Sequence, residues 1–271
     1  MEVSVLYVTN RLGGIDVLKG NLERQTFQDF EVVMVDGQLR DMTLLTSFLV
    51  RLGSRLRQFA EPPRKDGTLT NIWAAYNKGL SKCQGKYVVF LQDYIWIPPG
   101  GIARFVRCQE RQRGFYTGVG NVGEGPEKTV DGALTIWGYP YYGPPERIRW
   151  QDPRIGAWDG QVVKVDPDMW ENNWACAPRS ALLELGGFDE EFDFGWAWGE
   201  KDLAFRALKL GYKSYMDTGN RCMAWWHDAF WPNPYKDNET LSNKPRLDTK
   251  LAEMAAGKRS ARLNYLENRD G

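Results

Sequence analysis

Two carboxylates in the first third of the sequence have a setting that could support chemistry, because each directly follows an apolar run. Asp36 follows EVVMV, and Asp93 follows YVVFLQ. Each could simply close a turn, but ligands of parallel sheets bind beyond the carboxyl ends of the strands. A carboxylate oxygen and a diphosphate could there share an octahedral Mg²⁺ or Mn²⁺ ion. Asp166 and Asp168 form a rival D-x-D pair after another apolar run, and periodicity alone does not decide between the two places.

A second candidate region is the segment GWAWGEKDLAFRALKLGY, residues 195–212. Glu200 and Asp202 open a predicted helix, where acidic residues are ordinary because they complement the helix dipole. Trp196 and Trp198 lie directly upstream, and flat aromatic rings suit the C–H faces of a sugar. A carboxylate beside such rings could deprotonate a hydroxyl group.

The sequence has one histidine and one glycine-rich match to a cofactor motif. His227 follows an apolar stretch and could be an ordinary packed imidazole, or it could give one nitrogen to a metal. GVGNVG, residues 118–123, fits G-x-G-x-x-G, but the polar stretch EGPEKTVDG follows it where a dinucleotide site needs a helix. We interpret this segment as a glycine-rich turn.

Strand and helix patterns alternate through the first hundred residues. Strands are predicted over 3–8, 31–35, 56–60 and 86–91, and helices over 16–27, from Asp41 to about 56, and over 70–83. This alternation predicts an α/β fold in which helices cover both faces of a parallel sheet.

The pattern changes after about residue 114. Residues 115–174 are rich in Gly, Pro, Trp and Tyr and predict irregular loops. Short strands are expected near 133–137, 161–165, 213–217 and 221–225, and helices near 179–186 and 200–210.

Composition excludes several classes of protein. The 271 residues carry 35 Lys+Arg and 35 Asp+Glu, so no bulk positive field favours nucleic acid or an anionic membrane. No apolar run approaches the length of a membrane span, and the N-terminus lacks the pattern of a signal peptide. The four cysteines are widely spaced with no C-x-x-C pair, which predicts free thiols and a cytoplasmic location.

Four segments, in order along the chain, resemble those of a GT-A glycosyltransferase of the family 2 type. They are VTNR at 8–11, QTFQDFEVVMVDG at 25–37, NKGLSKCQGKYVVFLQD at 77–93, and GGFDEEF followed by GEKDLAFRALKLGY within 186–212. The resemblance implies a GT-A fold with a mostly parallel central sheet flanked by helices. It places a catalytic domain at 1–232, with a nucleotide-binding half at 1–113 and an acceptor-binding half at 114–232. A polar tail, helical after about 246, would follow at 233–271.

The resemblance also implies roles for particular residues. Asp93 falls on the metal-binding position, and His227 resembles a late metal-ligating histidine, so Asp166 and Asp168 are assigned to a loop on the acceptor side. Glu200 falls on the catalytic-base position. The residues expected to contact the nucleotide are Thr9, Arg11, Asp36 and Gln92, and those expected to contact the acceptor are Asp202, Trp196 and Trp198. Two departures stand out, since Gln92 replaces a usual Asp and Glu200 replaces the usual Asp of the base.

The predicted activity is inverting transfer of a sugar from a nucleotide-diphosphate sugar to an acceptor hydroxyl, with Mn²⁺ or Mg²⁺ at the diphosphate. UDP is the favoured nucleotide, and a glycan, a lipid-linked sugar and a modified nucleobase are the candidate acceptors. The missing carboxylate at position 92 leaves a non-catalytic nucleotide-sugar or carbohydrate-binding module as the alternative. A sugar-nucleotide pyrophosphorylase ranks last, because RLGG at 11–14 is a poor substitute for its basic phosphate loop.

Overall fold

The structure, a computed structural model, describes residues 1–9, 14–38, 43–51, 53–123, 148–225 and 241–266. Arg11, His227 and the strand predicted near 133–137 lie outside these described residues.

The first half of the chain forms four parallel strands. They are β1 (Val3–Thr9), β2 (Phe30–Asp36), β3 (Arg55–Ala60) and β4 (Tyr87–Gln92), arranged in the order β3-β2-β1-β4. Every residue of β2 is buried, as expected for a parallel strand covered by helices on both faces.

Four helices accompany these strands. They are α1 (Gly14–Glu23), α2 (Thr43–Arg51), α3 (Ile72–Lys82) and α4 (Gly101–Arg111). Helix α3 packs closely on β1, because a Cβ at Gly79 would lie 2.3 Å from the Leu6 side chain. Trp73, Tyr76 and Leu80 recur at helical spacing on its buried face.

The second half extends the sheet with strands of mixed direction. They are β5 (Ile95–Trp96), β6 (Phe115–Gly123), β7 (Ile148–Trp150), β8 (Val162–Val165), β9 (Trp174–Pro178) and β10 (Ser214–Trp225). Strand β9 runs antiparallel between β4 and β6, and the sheet then continues through β10 to β5. The helices of this half are α5 (Pro153–Ala157), α6 (Arg179–Glu184), α7 (Gly199–Lys209) and α8 (Lys244–Ala255).

Two sequence predictions for this half are wrong. The segment 118–123 is part of strand β6 rather than a turn. Close packing explains the glycine at position 118, because a Cβ there would lie 2.3 Å from the Trp174 ring. The two strands predicted near 213–217 and 221–225 are one strand, β10, with an irregularity between Asp217 and Arg221.

Separate apolar clusters hold the sheet and its helices together. One gathers α1, α4 and β9 through Leu18, Phe105 and Trp174. Another gathers α3, β4 and α7 through Tyr76, Phe90 and Leu203, among others. The predicted α/β fold with a central sheet flanked by helices is confirmed, although its second half is more antiparallel than expected.

The described part of the C-terminal tail packs against the domain. Leu247 of α8 is buried in the cluster that contains Leu203, and the Leu263 amide donates to the Leu185 carbonyl over 3.0 Å. Arg206 of α7 also donates to the Ala261 carbonyl. No helix among the residues that the structure describes is long and apolar enough to cross a membrane.

Candidate functional site

The carboxyl ends of β1, β2 and β4 bring together the predicted nucleotide and metal residues that the structure describes, namely Thr9, Asp36, Gln92 and Asp93. Thr9 is paired in register with Asp36, and the neighbouring Val8 is paired with Gln92. Thr9 Oγ1 donates a hydrogen bond to Asp93 Oδ2 over 2.7 Å. Asp93 is only 6% exposed, so its carboxylate is fixed at this edge rather than free on a loop.

Asp36 is held rigidly at the same edge. It is fully buried, and its carboxylate accepts hydrogen bonds from the Gln58 side chain, over 3.1 Å, and from the Gln38 amide, over 3.0 Å. Glu61 comes directly after Ala60, the last residue of β3, which is paired in register with Asp36. Burial raises the pKa of Glu61, while its hydrogen bond with Asn71 lowers it. Sequence reasoning missed Glu61, whose place follows only from the pairing of β3 with β2.

Tyr76 connects this edge with the predicted base. Its ring lies on the buried face of α3 and its hydroxyl shares a hydrogen bond with Gln92. Burial raises the pKa of Tyr76 well above its usual range, and the negative charges of Asp93 and Glu200 act in the same direction. Tyr76 is therefore a neutral phenol within electrostatic reach of both carboxylates. Sequence reasoning missed Tyr76 as a residue of the candidate site.

Glu200 is the second residue of α7 and is partly buried. Burial raises the pKa of Glu200 above its ordinary value, Lys201 lowers it, and Glu171 raises it. Such a carboxylate is a better proton acceptor at neutral pH than a fully solvated one. Its position and environment suit a general base.

The turn that leads into α7 has an unusual backbone. Ala197 has φ of 59° and Trp198 has φ of 73°, and both are left-handed although neither is a glycine. Residues other than glycine adopt the left-handed backbone region at a cost in conformational energy, and such strain concentrates at functional sites. The next residue, Gly199, lies against the Trp73 ring, where a Cβ would approach to 2.4 Å.

The two tryptophans of this turn differ in exposure. Trp196 is 37% exposed, which leaves part of its ring open to a ligand. Trp198 packs on the cluster around α3 and α7, and the Lys244 ammonium lies 5.5 Å from the centre of its ring. The geometry therefore suits a ligand contact for Trp196 more than for Trp198.

Asp202 lies in the interior. It is 0% exposed, and its Oδ2 accepts from Arg206 Nε over 2.7 Å. Arg206 in turn donates to the carbonyls of Leu185 and Gly187. This arrangement favours a structural role for Asp202, and its predicted contact with an acceptor stays untested. Asp166 and Asp168 are exposed and flank Pro167 in a short 3₁₀ turn.

A cavity of about 330 Å³ opens beside this site. It begins at Tyr94, directly after Asp93, and extends to Glu171. The Glu171 Oε1 atom lies 3.9 Å from the Nζ atom of Lys201, the residue that follows Glu200. Its walls combine aromatic and polar side chains, namely Tyr94, Thr117, Asn121, Trp150, Arg154, Glu171, Asn173 and Trp174. Two buried polar atoms of its lining, Trp174 Nε1 and Asn121 Oδ1, have no hydrogen-bond partner among the described residues. Pockets of this size with a few polar groups are typical of small-molecule sites.

The residues present are compatible with a divalent metal at the edge of the sheet. No group of three or more potential ligands occurs among the described residues, which leave out His227. Mg²⁺ and similar ions often bind through one or two carboxylates, with phosphate oxygens and water completing the shell. One fixed carboxylate, Asp93, suits that kind of site.

Comparison with solved structures identifies the fold. GalNAc-T7 with UDP, GalNAc and Mn²⁺ superposes with a TM-score of 0.64 and 16% identity, over 92% of this chain and 48% of that one. The mannosyltransferase PcManGT from Pyrobaculum calidifontis, with GDP-Man and Mn²⁺, gives 0.55 and 19%, over 86% and 58%. TarS of S. aureus with UDP-GlcNAc gives 0.53 and 14%, over 83% and 58%.

These similarities establish that the chain has the GT-A fold, as the sequence motifs predict. The chain spans between about half and three fifths of the length of these three neighbours. No family model matches it, and no curated protein sequence matches it significantly.

Proposed function

We propose that this protein is an inverting glycosyltransferase that uses a nucleotide-diphosphate sugar. The observation that carries the proposal is the meeting of Thr9, Asp36 and Asp93 at one sheet edge, beside Tyr76, whose pKa is raised by the charges of both Asp93 and Glu200 in addition to burial. A GT-A fold with a nucleotide edge and a partly buried carboxylate at the start of a helix has the parts that glycosyl transfer needs.

The donor would bind across the carboxyl ends of β1, β2 and β4. Asp36 and Thr9 would contact the nucleoside, together with Arg11 and Gln92. GalNAc-T7 and TarS were solved with UDP or UDP-GlcNAc, and PcManGT with GDP-Man. We favour UDP, and a comparison with GDP decides the base.

Asp93 would hold the Mn²⁺ or Mg²⁺ ion, with His227 as the second protein ligand. When bound, the ion would neutralise the negative charge that builds up on the leaving diphosphate. Gln92 cannot supply the second carboxylate that the family usually has here, so the diphosphate and water would complete the shell.

Glu200 would act as the general base. It would take the proton from the acceptor hydroxyl as that oxygen attacks the anomeric carbon from the face opposite the diphosphate. The new C–O bond forms while the bond to the diphosphate breaks, and the diphosphate leaves with the electron pair. The raised pKa of Glu200 brings it closer to the pH at which it must accept the proton.

The acceptor would enter the cavity beside Glu171 and Trp150. Trp150 is 46% exposed, and Trp196 is partly open, so both can cover the C–H face of a sugar ring. Arg154, Glu171 and Asn173 also line this cavity and can form hydrogen bonds with hydroxyl groups. These features favour a neutral glycan, including one linked to a lipid, over a modified nucleobase.

All four cysteines are free in the structure, consistent with our proposed cytoplasmic location.

The decisive experiment is Glu200→Gln with a panel of UDP- and GDP-sugars. We expect transfer to fall by about 10²–10⁴-fold, the usual contribution of a general base, while the Kd for the nucleotide stays unchanged. Glu110→Gln is the matched control, because Glu110 is an exposed glutamate on α4. Near-normal turnover in Glu200→Gln would remove Glu200 from the base role.

The presence of Gln92 supports one other function, that of a non-catalytic nucleotide-sugar or carbohydrate-binding module. A weakened metal site could still bind the nucleotide without catalysing transfer. Release of nucleotide from each donor, measured with Mn²⁺ and with EDTA, separates the two. Binding without hydrolysis or transfer for any donor would favour the binding module.

A further inference from the structure

The C-terminal tail contacts the turn that leads into Glu200. The Trp196 amide donates to the Leu241 carbonyl over 2.7 Å, and the Asn243 amide donates to the Trp196 carbonyl over 3.0 Å. Residues 196 and 242 thereby form a parallel β-bridge. The tail is paired with the backbone of this turn rather than resting loosely on its surface.

The Asn243 side chain reaches further into the same turn. It is 1% exposed, and its Nδ2 donates to the carbonyls of Phe192, over 2.7 Å, and Ala197, over 3.0 Å. Asn243 stands at the N-cap position of α8, yet its side chain makes no capping bond to that helix. Its Nδ2 group therefore bonds to the turn and the segment before it, while its Oδ1 accepts a hydrogen bond from Arg246 of α8.

The turn needs such support because its backbone is unfavourable. The Ala197 carbonyl belongs to the peptide that joins the two left-handed residues, Ala197 and Trp198. Strained residues of this kind persist only when their surroundings hold them. The Trp73 ring confines the turn from the side of α3, and Asn243 confines it from the tail.

We propose that Asn243 is a positioning residue, which holds the left-handed turn at 197–198 and so fixes the start of α7 and the placement of Glu200. The catalytic consequence rests on the proposed function. The structural part of the proposal, that Asn243 holds the turn, is independent of the proposed function because it follows from the hydrogen bonds alone.

The tail is anchored independently of this contact. Asp189, which is fully buried, pairs with Lys250 of α8 and with Arg259, and it accepts a hydrogen bond from the Tyr265 hydroxyl over 3.1 Å. The Lys250 ammonium pairs with Asp189 and Glu191 and lies 5.2 Å from the centre of the Phe192 ring, and these three residues all precede the turn at 195–199. Lys250→Met therefore weakens the tail without touching the turn.

Hydrogen–deuterium exchange of the full chain tests the hold on the turn. Asn243→Ala removes the two hydrogen bonds that Nδ2 donates to the Phe192 and Ala197 carbonyls, so we expect backbone amides within 195–203 to exchange about tenfold faster. We expect Lys250→Met to leave those amides near their wild-type rates while exchange rises in α8. Equal acceleration in both variants, or none in Asn243→Ala, would overturn the proposal.

Gly195→Ala approaches the same contact from the other side. A Cβ at Gly195 would lie 2.4 Å from Asn243 Oδ1, so the added methyl group must displace the amide. We expect faster exchange in 195–203 here too, which keeps the test decisive if Asn243→Ala folds poorly. Unchanged exchange in a folded Gly195→Ala protein would contradict the proposal.

Kinetics test the consequence for Glu200. We expect kcat of Asn243→Ala to fall by up to about 100-fold, as for misplaced catalytic groups, while KM for the donor changes less than about twofold. A wild-type kcat with a loosened turn would refute the positioning role. Absence of transfer in the wild-type protein would instead refute the proposed function, and the exchange result would still decide whether Asn243 holds the turn.

Discussion

The ionisation of Glu200 depends on its nearest charged neighbours. Burial raises the pKa of Glu200, the Lys201 ammonium lowers it, and the Glu171 carboxylate raises it. Since a general base works only when deprotonated, activity is lost as the pH falls through the pKa that Glu200 has in the folded protein. The acidic limb of the pH profile therefore reports the environment of this one carboxylate.

Two substitutions should move that limb in opposite directions. Lys201→Met removes the group that lowers the pKa of Glu200, so its acidic limb should shift to higher pH. Glu171→Gln removes a repelling charge, so its limb should shift to lower pH. The measurement is kcat against pH for both variants.

Lys209→Met provides the control for this pair, because Lys209 is an exposed lysine in the last turn of the same helix. Its profile should match that of the wild-type protein. Shifts of the same sign in Lys201→Met and Glu171→Gln would show that another group sets the acidic limb.

Arg206 ties helix α7 to its surroundings. Its guanidinium pairs with Asp202 one turn earlier and donates to the carbonyls of Leu185, Gly187 and Ala261. Both members of the ion pair are 0% exposed. The helix that carries Glu200 is thus fixed to the end of α6 and to the tail by one buried cation.

Asp202→Asn should destabilise the protein by about 3–5 kcal/mol, because it leaves the Arg206 charge buried without compensation. Urea unfolding measures the loss. Glu23→Gln breaks the exposed Lys19–Glu23 pair, also spaced i,i+4, and should cost less than about 1 kcal/mol. Unchanged stability of Asp202→Asn together with a raised KM for the acceptor would instead support the predicted acceptor contact.

The elements that the sequence predicts best are those with a local signal. The strand expected at 3–8 is β1 and the helix expected at 70–83 is α3, because apolar spacing alone defines both. The glycines of β6 hid a strand, and the Trp174 ring packed against Gly118 explains one of them only in the folded chain. Strand β9 is five residues long and buried throughout, so it has no period that a sequence can display.

The residues of the candidate site likewise include some that the sequence predicts and some that it does not. The meeting of Thr9 and Asp93 follows from the order of parallel strands, which the motifs predict. The Tyr76 hydroxyl, Glu61 and Asn243 could not be predicted, because each reaches the site from an element whose neighbours only the folded chain defines.

Among the residues that the structure describes, the proposed donor edge is acidic although the whole chain has no net charge. The carboxylates of Asp36, Glu61 and Asp193 interact electrostatically, with partial compensation from Arg64, and Asp93 ends the neighbouring strand. A diphosphate brought to this edge meets like charge at short range. Binding should therefore depend strongly on a divalent cation.

We expect UDP to stabilise the protein against thermal unfolding with Mn²⁺ and to do so much less with EDTA. A ligand at 100 times its Kd stabilises the folded state by about 2.7 kcal/mol, which a shift in Tm makes visible. Asp93→Asn should lose most of the Mn²⁺-dependent shift. Asp159→Asn is the control, because Asp159 is an exposed aspartate paired with Arg221. An equal shift with UDP in Mn²⁺ and in EDTA would mean that Asp93 holds no ion, and the edge would then bind nucleotides through hydrogen bonds alone.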